Sequence, residues 1–277
     1  MTYLLLMHLL TTLAIATSTA ATPDARHPVY VIAHCANDIE RVDEAIMAGA
    51  NGVEIDVPIR DGRLLGLHGG LEPRECGART NPDELAELFR HVAAAMDQGE
   101  LGLVVVDAKE TEGQERRWGR LLGEAMGDAE LEPQRVLVSI PASRSALVLR
   151  GLDDADYAPR VDLYWDDYGA VAPAELFDVI AASDADAIGV GMDPIGFWRP
   201  MSWWTPWLQE MATRRDSGSG PSFTYYWTLN LASSARVALD HHVDGLITNH
   251  PERIVPLFDE AAYRDHLRLA TSRDELP

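Results

Sequence analysis

Short apolar runs alternate with helix-period stretches along this chain from residue 28 onward. The apolar runs are VYVIAHC, GVEIDVPI, LGLVVVDAK, VLVSIP, RVDLYWDD, DAIGVGMD, FTYYWTLN and DGLITNH. Most are too apolar throughout for strands with one solvated face, which predicts parallel strands covered on both sides. Between them lie the helical patterns DIERVDEAIMAGA, PDELAELFRHVAAAM, GQERRWGRLLGEAM, SRSALVLRGL, APAELFDVIAAS, WWTPWLQEMATRR and SSARVALDHHV, and PERIVPLFDEAAYRDHL closes the series. Arg60-Asp61-Gly62-Arg63 is a turn sequence, so the second run folds back as a hairpin before His68. Eight β-α units within one domain are the arithmetic of a single (β/α)8 TIM barrel, with its active site at the C-terminal ends of the strands. The competing architecture is a doubly wound open sheet. It is disfavoured in its dinucleotide-binding form because no Gly-rich phosphate loop opens the first helix.

Residues 1–21 precede this pattern. Tyr3–Ala16 is an apolar run followed by small residues, and Ser18-Thr19-Ala20 and Thr19-Ala20-Ala21 both suit signal cleavage. The run is short for a membrane span. The expectation is a secretory signal peptide over 1–21, although no Lys or Arg precedes the apolar run, and a secreted barrel over 28–277.

Charge narrows the partners. The net charge of −21 argues against a nucleic-acid surface and against docking to anionic membranes through a basic patch. Cys35 and Cys76 are the only cysteines, too few for a disulfide scaffold or a cysteine metal cluster; one bridge is open. The 23 basic residues include a single lysine, Lys109, at the end of LVVVDAK. Lysine offers a compact charge where arginine offers a planar fork, so site chemistry can distinguish them.

The predicted strand ends collect polar residues. His34 ends the first strand and Asn37 follows; Glu54 and Asp56 lie on the second, two apart and therefore on one face. His68 ends the hairpin's return, Asp107 and Lys109 end the third strand, Tyr225, Trp227 and Asn230 come from the seventh, and Asn249 ends the eighth. Glu54, Asp56 and Asp107 would repel one another without a cation, and an all-oxygen set suits Mg²⁺. Taken singly, each carboxylate is as well explained by a cap or salt bridge. His34 and His68 flank this position and can serve as general acid and base.

These residues carry a family resemblance. The stretches AHCANDIERVDEAIMAGANGVEIDV, LHGGLEPRECGART, LVVVDAKE, VLVSIP, FTYYWTLN and DGLITNHPE run in order from residue 33 to about 252. In them the chain resembles the sphingomyelinase D / phospholipase D toxins of spider venoms and their bacterial and fungal relatives, within the wider glycerophosphodiester phosphodiesterase-like barrels. The ending ATSRDELP is similar to that family's tail motif, which plugs the base of the barrel, and departs from it after Asp274; the tail is expected over 270–277. The resemblance implies His34 and His68 as the acid–base pair and Glu54, Asp56 and Asp107 as Mg²⁺ ligands. It implies substrate-binding roles for Lys109, Tyr225, Trp227 and Asn249.

The implied activity is release of choline or ethanolamine from sphingolipids or lysophospholipids at a membrane surface or in micelles. Attack by the substrate's own hydroxyl would give a cyclic phosphate, as in a phosphorus-oxygen lyase, and the protein would act as a monomer. Two other readings stand beside it. One is a glycerophosphodiester phosphodiesterase, which normally carries Arg-Gly after its first histidine where Cys35-Ala36 stands here, and a small inserted domain for which this chain has no room. The other is an inactive barrel that binds lipid head groups, against which the intact set of ionisable residues argues. Three departures from the venom pattern are visible. Asn230 replaces an aspartate, Cys76 lacks the nearby cysteine that staples the loop after His68, and that loop is longer by virtue of Glu72, Pro73 and Arg74.

Overall fold

The computed structural model describes residues 24–68, 76, 80–109, 111, 113–164, 177–178, 185–191 and 201–276. Eight parallel strands close into a barrel: β1 (His27–Ala33), β2 (Gly52–Asp56), β5 (Leu103–Asp107), β6 (Val136–Pro141), β7 (Arg160–Tyr164), β8 (Ala187–Gly191), β9 (Phe223–Trp227) and β10 (Gly245–Thr248), with β10 returning to β1. The hairpin β3 (Ile59–Arg60) and β4 (Arg63–Leu64) forms a separate two-stranded sheet above β2. Its two loop residues, Asp61 and Gly62, both hold positive φ (50° and 71°), as an Asp-Gly hairpin turn requires. The helices are α1 (Ile39–Met47), α2 (Pro82–Asp97), α3 (Glu115–Asp128), α4 (Ser145–Asp154), α5 (Met201–Ser217), α6 (Ala232–Asp240) and α7 (Pro251–Ile254). The sequence-predicted TIM barrel is therefore the observed fold. Of the helix expected from APAELFDVIAAS only Phe177 and Asp178 are described, and they are helical; the additions Glu72, Pro73 and Arg74 and residues 1–21 lie outside the described residues.

Period two decides which side chains enter the barrel. Val104, Val106, Val53, Ile55, Val161 and Leu163 point outward and pack beneath the helices. Tyr30, Ile32, Leu103, Val105, Leu137 and Phe223 point inward and fill the barrel interior. The same alternation carries Glu54, Asp56, Asp107, Ser139 and Asp162 inward. Strand register sets Asp56 beside Asp107, Asp107 beside Ser139, and Ser139 beside Asp162.

Two local features depart from the sequence expectation. The long closing helix is only Pro251–Ile254, followed by a 3₁₀ turn over Val255–Asp259. Pro256 removes the amide needed to continue the α-helical ladder there. The chain then forms β11 (Leu267–Leu269) beside the first half of β1. Beyond it, Leu276 is buried against the interior cluster, Arg160 Nη2 donates to its carbonyl at 2.6 Å, and Arg268 pairs with Asp274.

Candidate active site

His34 stands just past β1, where its backbone N–H still donates to Thr248 O at 2.9 Å. Its ring is 10% exposed, with Nδ1 2.8 Å from Asn249 Oδ1. An amide oxygen only accepts, so Nδ1 carries the proton and Nε2 is left as the acceptor, 4.0 Å from Glu54 Oε2. Burial lowers the His34 pKa, against the pull of Asp56 and the Asn249 bond, which favours the neutral ring. The half-buried His68 ring lies edge-on to it, centroids 5.8 Å apart. Asn249 is in turn placed by Asn230, whose Oδ1 accepts the Asn249 backbone N–H at 2.9 Å. The Asn249 side-chain oxygen thus orients His34 rather than pointing at a substrate.

Cys35 and Cys76 form a disulfide across 41 residues of chain. The sequence left this pairing open, noting only that Cys76 lacks the nearby cysteine of the venom pattern. The bridge instead ties the segment after His68 to the residue following His34. Its sulfurs pack on the His34 ring, with Cys35 Sγ 3.3 Å from Nδ1. The grouping of two histidines and two cysteines here offers no thiolate to a metal, because both sulfurs are spent on each other. Replacing both cysteines with serine should destabilise the fold by about 2–4 kcal/mol, from loop entropy returned to the unfolded chain. Thermal melts of the double variant against the oxidised wild type measure this.

Glu54 and Asp56 share the inner face of β2, each held by a neighbour. The Cys35 backbone N–H donates to Glu54 Oε2 at 2.7 Å. Asn37 Nδ2 donates to Asp56 Oδ2 and Asn37 Oδ1 accepts the Asp56 backbone N–H, both at 2.8 Å. Asn37 is therefore the clamp that aims Asp56, a role its sequence position alone does not reveal. Lys109 Nζ lies 3.1 Å from Asp56 Oδ1 and also pairs with Asp107 Oδ2. Burial opposes the lysine's charge, but Asp107, Asp56 and Glu54 together hold its pKa well above the ordinary value. Burial and the Asp56 charge push Glu54 well above the carboxylate range, against Lys109. Asp56 stays low: burial works to raise it, and Lys109, His34 and His68 outweigh that.

Asp107 Oδ1 is buried and accepts no hydrogen bond, and Asp56 Oδ1 meets only the Lys109 ammonium. One lysine therefore faces three carboxylates, one of them forced toward its neutral form. Glu54 and Asp56 offer oxygens within 4.8 Å of each other, while Asp107 does not complete a mutually close trio and is joined to them through Lys109. This donor set, all oxygen and short of positive charge, fits a hard divalent cation.

A cavity of about 250 Å³ opens over these groups, lined among others by His34, Glu54, His68, Asp107 and Lys109. Trp227, Tyr164 and Ser139 line its other side. Tyr225 also contributes to the wall, but its ring is buried and its hydroxyl donates to Asp162 Oδ2 at 2.6 Å. The sequence assigned Tyr225 to the phosphate or head group and passed over its partner Asp162.

A closed parallel barrel with two histidines, inward carboxylates and a lysine at its C-terminal mouth has the fold of known phosphodiesterases. A glycerophosphodiester phosphodiesterase from Parabacteroides distasonis superimposes with a TM-score of 0.61 at 15% identity, covering 86% of this chain and 99% of that one. A phosphodiesterase from Oleispira antarctica, solved with the product sn-glycerol-3-phosphate, gives 0.59 at 16% identity over 83% and 97%. Sequence takes the assignment further. The dermonecrotic toxin SPH family model matches residues 24–152 and 202–276, and the chain belongs to that family. Dermonecrotic toxin LiSicTox-alphaIA2bi of Loxosceles intermedia is 27% identical over 91% of this chain and 89% of its own length. LsSicTox-alphaIA1 of Loxosceles similis is 26% identical over 90% and 96%. The protein is accordingly an enzyme of the phosphodiester-cleaving, phospholipase D type. Among the described residues no helix is long and apolar enough to cross a membrane.

Proposed function

We propose that the protein is a secreted, Mg²⁺-dependent phospholipase D of the sphingomyelinase D kind, releasing choline or ethanolamine from sphingolipids or lysophospholipids with formation of a cyclic phosphate. The observation that carries this is the convergence of His34, His68 and Lys109 on one site where three inward carboxylates share a single lysine. Glu54, Asp56 and Asp107 would hold the ion, which when bound polarises a phosphoryl oxygen as a Lewis acid. The venom origin of the relatives and the apolar segment within residues 1–21 support secretion.

His34, held neutral with Nε2 free to accept, takes the proton from the substrate's own hydroxyl as its oxygen bonds to phosphorus. The bond from phosphorus to the head-group oxygen breaks, and His68 delivers a proton to that departing oxygen. Both histidines line the cavity with ring nitrogens within 4.8 Å of each other, so both can reach the oxygens of one phosphate bound beside them. Lys109 places its charge on a phosphoryl oxygen. Trp227 supplies an aromatic wall for a quaternary or primary ammonium.

The lone lysine gives a pointed test. Lys109 fits between Asp56 and Asp107 as a compact charge, and a planar guanidinium at that spot would need more room and a different angle. Lys109→Arg should lower kcat/KM about tenfold or more, at least ~1.4 kcal/mol of transition-state stabilisation, while thermal stability moves little. Choline release from lysophosphatidylcholine micelles measures it. Wild-type turnover in this variant would return the single lysine to an accident of composition. Release that persists undiminished after exhaustive chelation would remove the metal from the proposal.

A further inference from the structure

The chemistry proposed above uses His34 and His68 as base and acid, and leaves unexplained why the chain's only two cysteines stand against them. One donor atom from each of His34, Cys35, His68 and Cys76 lies within 4.8 Å of every other. Both cysteines are fully buried, and the His34 side chain is 10% exposed. Cys35 Sγ is 3.3 Å from His34 Nδ1 and 3.4 Å from Nε2, and Cys76 Sγ is 3.8 Å from Nδ1. A zinc ion at ordinary Zn–S and Zn–N lengths and a tetrahedral angle sets sulfur and nitrogen about 3.5 Å apart. The four side chains therefore already stand close to the spacing of a Cys2His2 zinc site, and the bond between the two sulfurs is what withholds it.

The surroundings suit a metal as well. Asn249 Oδ1 accepts from His34 Nδ1 at 2.8 Å, which leaves Nε2 as the ligand. A histidine that binds metal through one nitrogen commonly donates from the other to an oxygen in this way, which fixes its tautomer. Glu54 Oε2, 4.0 Å from His34 Nε2, adds negative charge beside the position. Thiolate and imidazole donors select zinc, whereas the oxygen set of Glu54, Asp56 and Asp107 suits a hard ion. The two sets are distinct in chemistry.

We propose that the dithiol form of this protein binds Zn²⁺ through His34, Cys35, His68 and Cys76. A dithiol reductant opens the bridge by exchange. Its two thiols supply two electrons and two protons, the bond between Cys35 and Cys76 breaks, and the reductant leaves as a disulfide. Zinc then displaces both thiol protons to solvent, because thiolates are the ligands. Side-chain rotation parts the sulfurs to about 3.8 Å, the spacing of two thiolates on one zinc. Every chain passes through the dithiol before its bridge forms, and stays there in a reducing compartment. With both histidines on zinc, neither can carry a proton, so this form cannot perform the acid–base steps assigned to them. Exchange with a disulfide oxidant remakes the bridge, releases the ion and frees them. The zinc site stands without the phospholipase D reading, and only this consequence rests on it.

The experiment needs no turnover. Protein reduced with dithiothreitol and desalted without air is titrated beside oxidised protein, with Zn²⁺ against a chromogenic chelator and with Co²⁺. The reduced protein should take up one Zn²⁺ at least about 10³-fold more tightly than the oxidised, and zinc should raise its melting temperature. Its Co²⁺ complex should show thiolate-to-cobalt charge transfer and the strong visible bands of a tetrahedral ion, and oxidised protein should show neither. Equal zinc affinity in the two forms would put the ion on the carboxylates and overturn the proposal. So would a reduced protein whose melting curve ignores zinc. His34→Ala and His68→Ala should each weaken zinc uptake by the reduced protein about tenfold or more. Uptake that needs the cysteines and neither histidine would overturn the four-ligand site. Wild-type protein that cleaves no lipid would refute the phospholipase D reading and leave the zinc site standing.

Discussion

Alanine at His34 or at His68 should each lower kcat by about 10²–10⁴-fold, the range that general acid–base catalysis supplies. The folded structure predicts how the two losses differ in side effects. His34 packs against the Cys35–Cys76 bridge and is bonded to Asn249, so its removal leaves the Asn249 oxygen without that donor. His68 is half-buried at the mouth, and its removal should leave the melting temperature closer to wild type. Asn249→Ala should share part of the His34 defect, because it frees the tautomer that Nδ1 donation enforces. Steady-state rates with thermal melts on the three variants measure this. A His34 or His68 variant that turns over within a few-fold of wild type would exclude that residue from the chemistry.

Glu54→Gln should abolish most activity while making the metal-free protein more stable. A carboxyl whose pKa is raised on folding costs stability wherever it is ionised in the unfolded chain, which means above its ordinary value. Burial and Asp56 raise Glu54 in this way, so at pH 8 the ionised group opposes folding and a neutral amide does not. With Mg²⁺ the order reverses: the ion should raise the wild-type melting temperature and shift the variant much less, since ligand binding stabilises only a site able to hold it. The activity loss should reach about 10²–10⁴-fold, several kcal/mol of lost charge stabilisation. Melting curves at pH 8 with Mg²⁺ and with EDTA give the stability comparison free of turnover. A wild-type curve indifferent to Mg²⁺ would contradict the ligand assignment.

The barrel and its mouth were largely legible because parallel strands buried on both faces leave continuous apolar runs, and polar residues at their ends stand out. His34, Glu54, Asp56, His68, Asp107 and Lys109 were all picked out on that principle; five of them line one cavity, and Asp56 is buried beside it against Lys109. Other features depend on partners far away in sequence. The disulfide joins positions 41 residues apart, and no spacing rule announces such a pair. The polar atoms of Asn249 and Tyr225 turn to His34 and Asp162, choices made by side-chain geometry within the barrel. Asp162 was hidden in RVDLYWDD among other acids. Its signal was available: Val161 and Leu163 flank it as outward apolar neighbours, so period two sends it inward, as it does Asp107. The shortened last helix was legible too, since Pro256 stands inside the pattern that promised seventeen helical residues.

The central claim is that this cavity cleaves a lipid phosphodiester by attack of the substrate's own hydroxyl, with a divalent cation held by Glu54, Asp56 and Asp107. ³¹P NMR of the products from sphingomyelin, ceramide phosphoethanolamine and lysophosphatidylcholine tests it most directly, run with Mg²⁺ and with EDTA. The account predicts a cyclic phosphate resonance growing in the Mg²⁺ samples as choline or ethanolamine is released, and no product in EDTA. Product formed equally in EDTA, or cleavage of soluble glycerophosphodiesters with no lipid turnover, would contradict it.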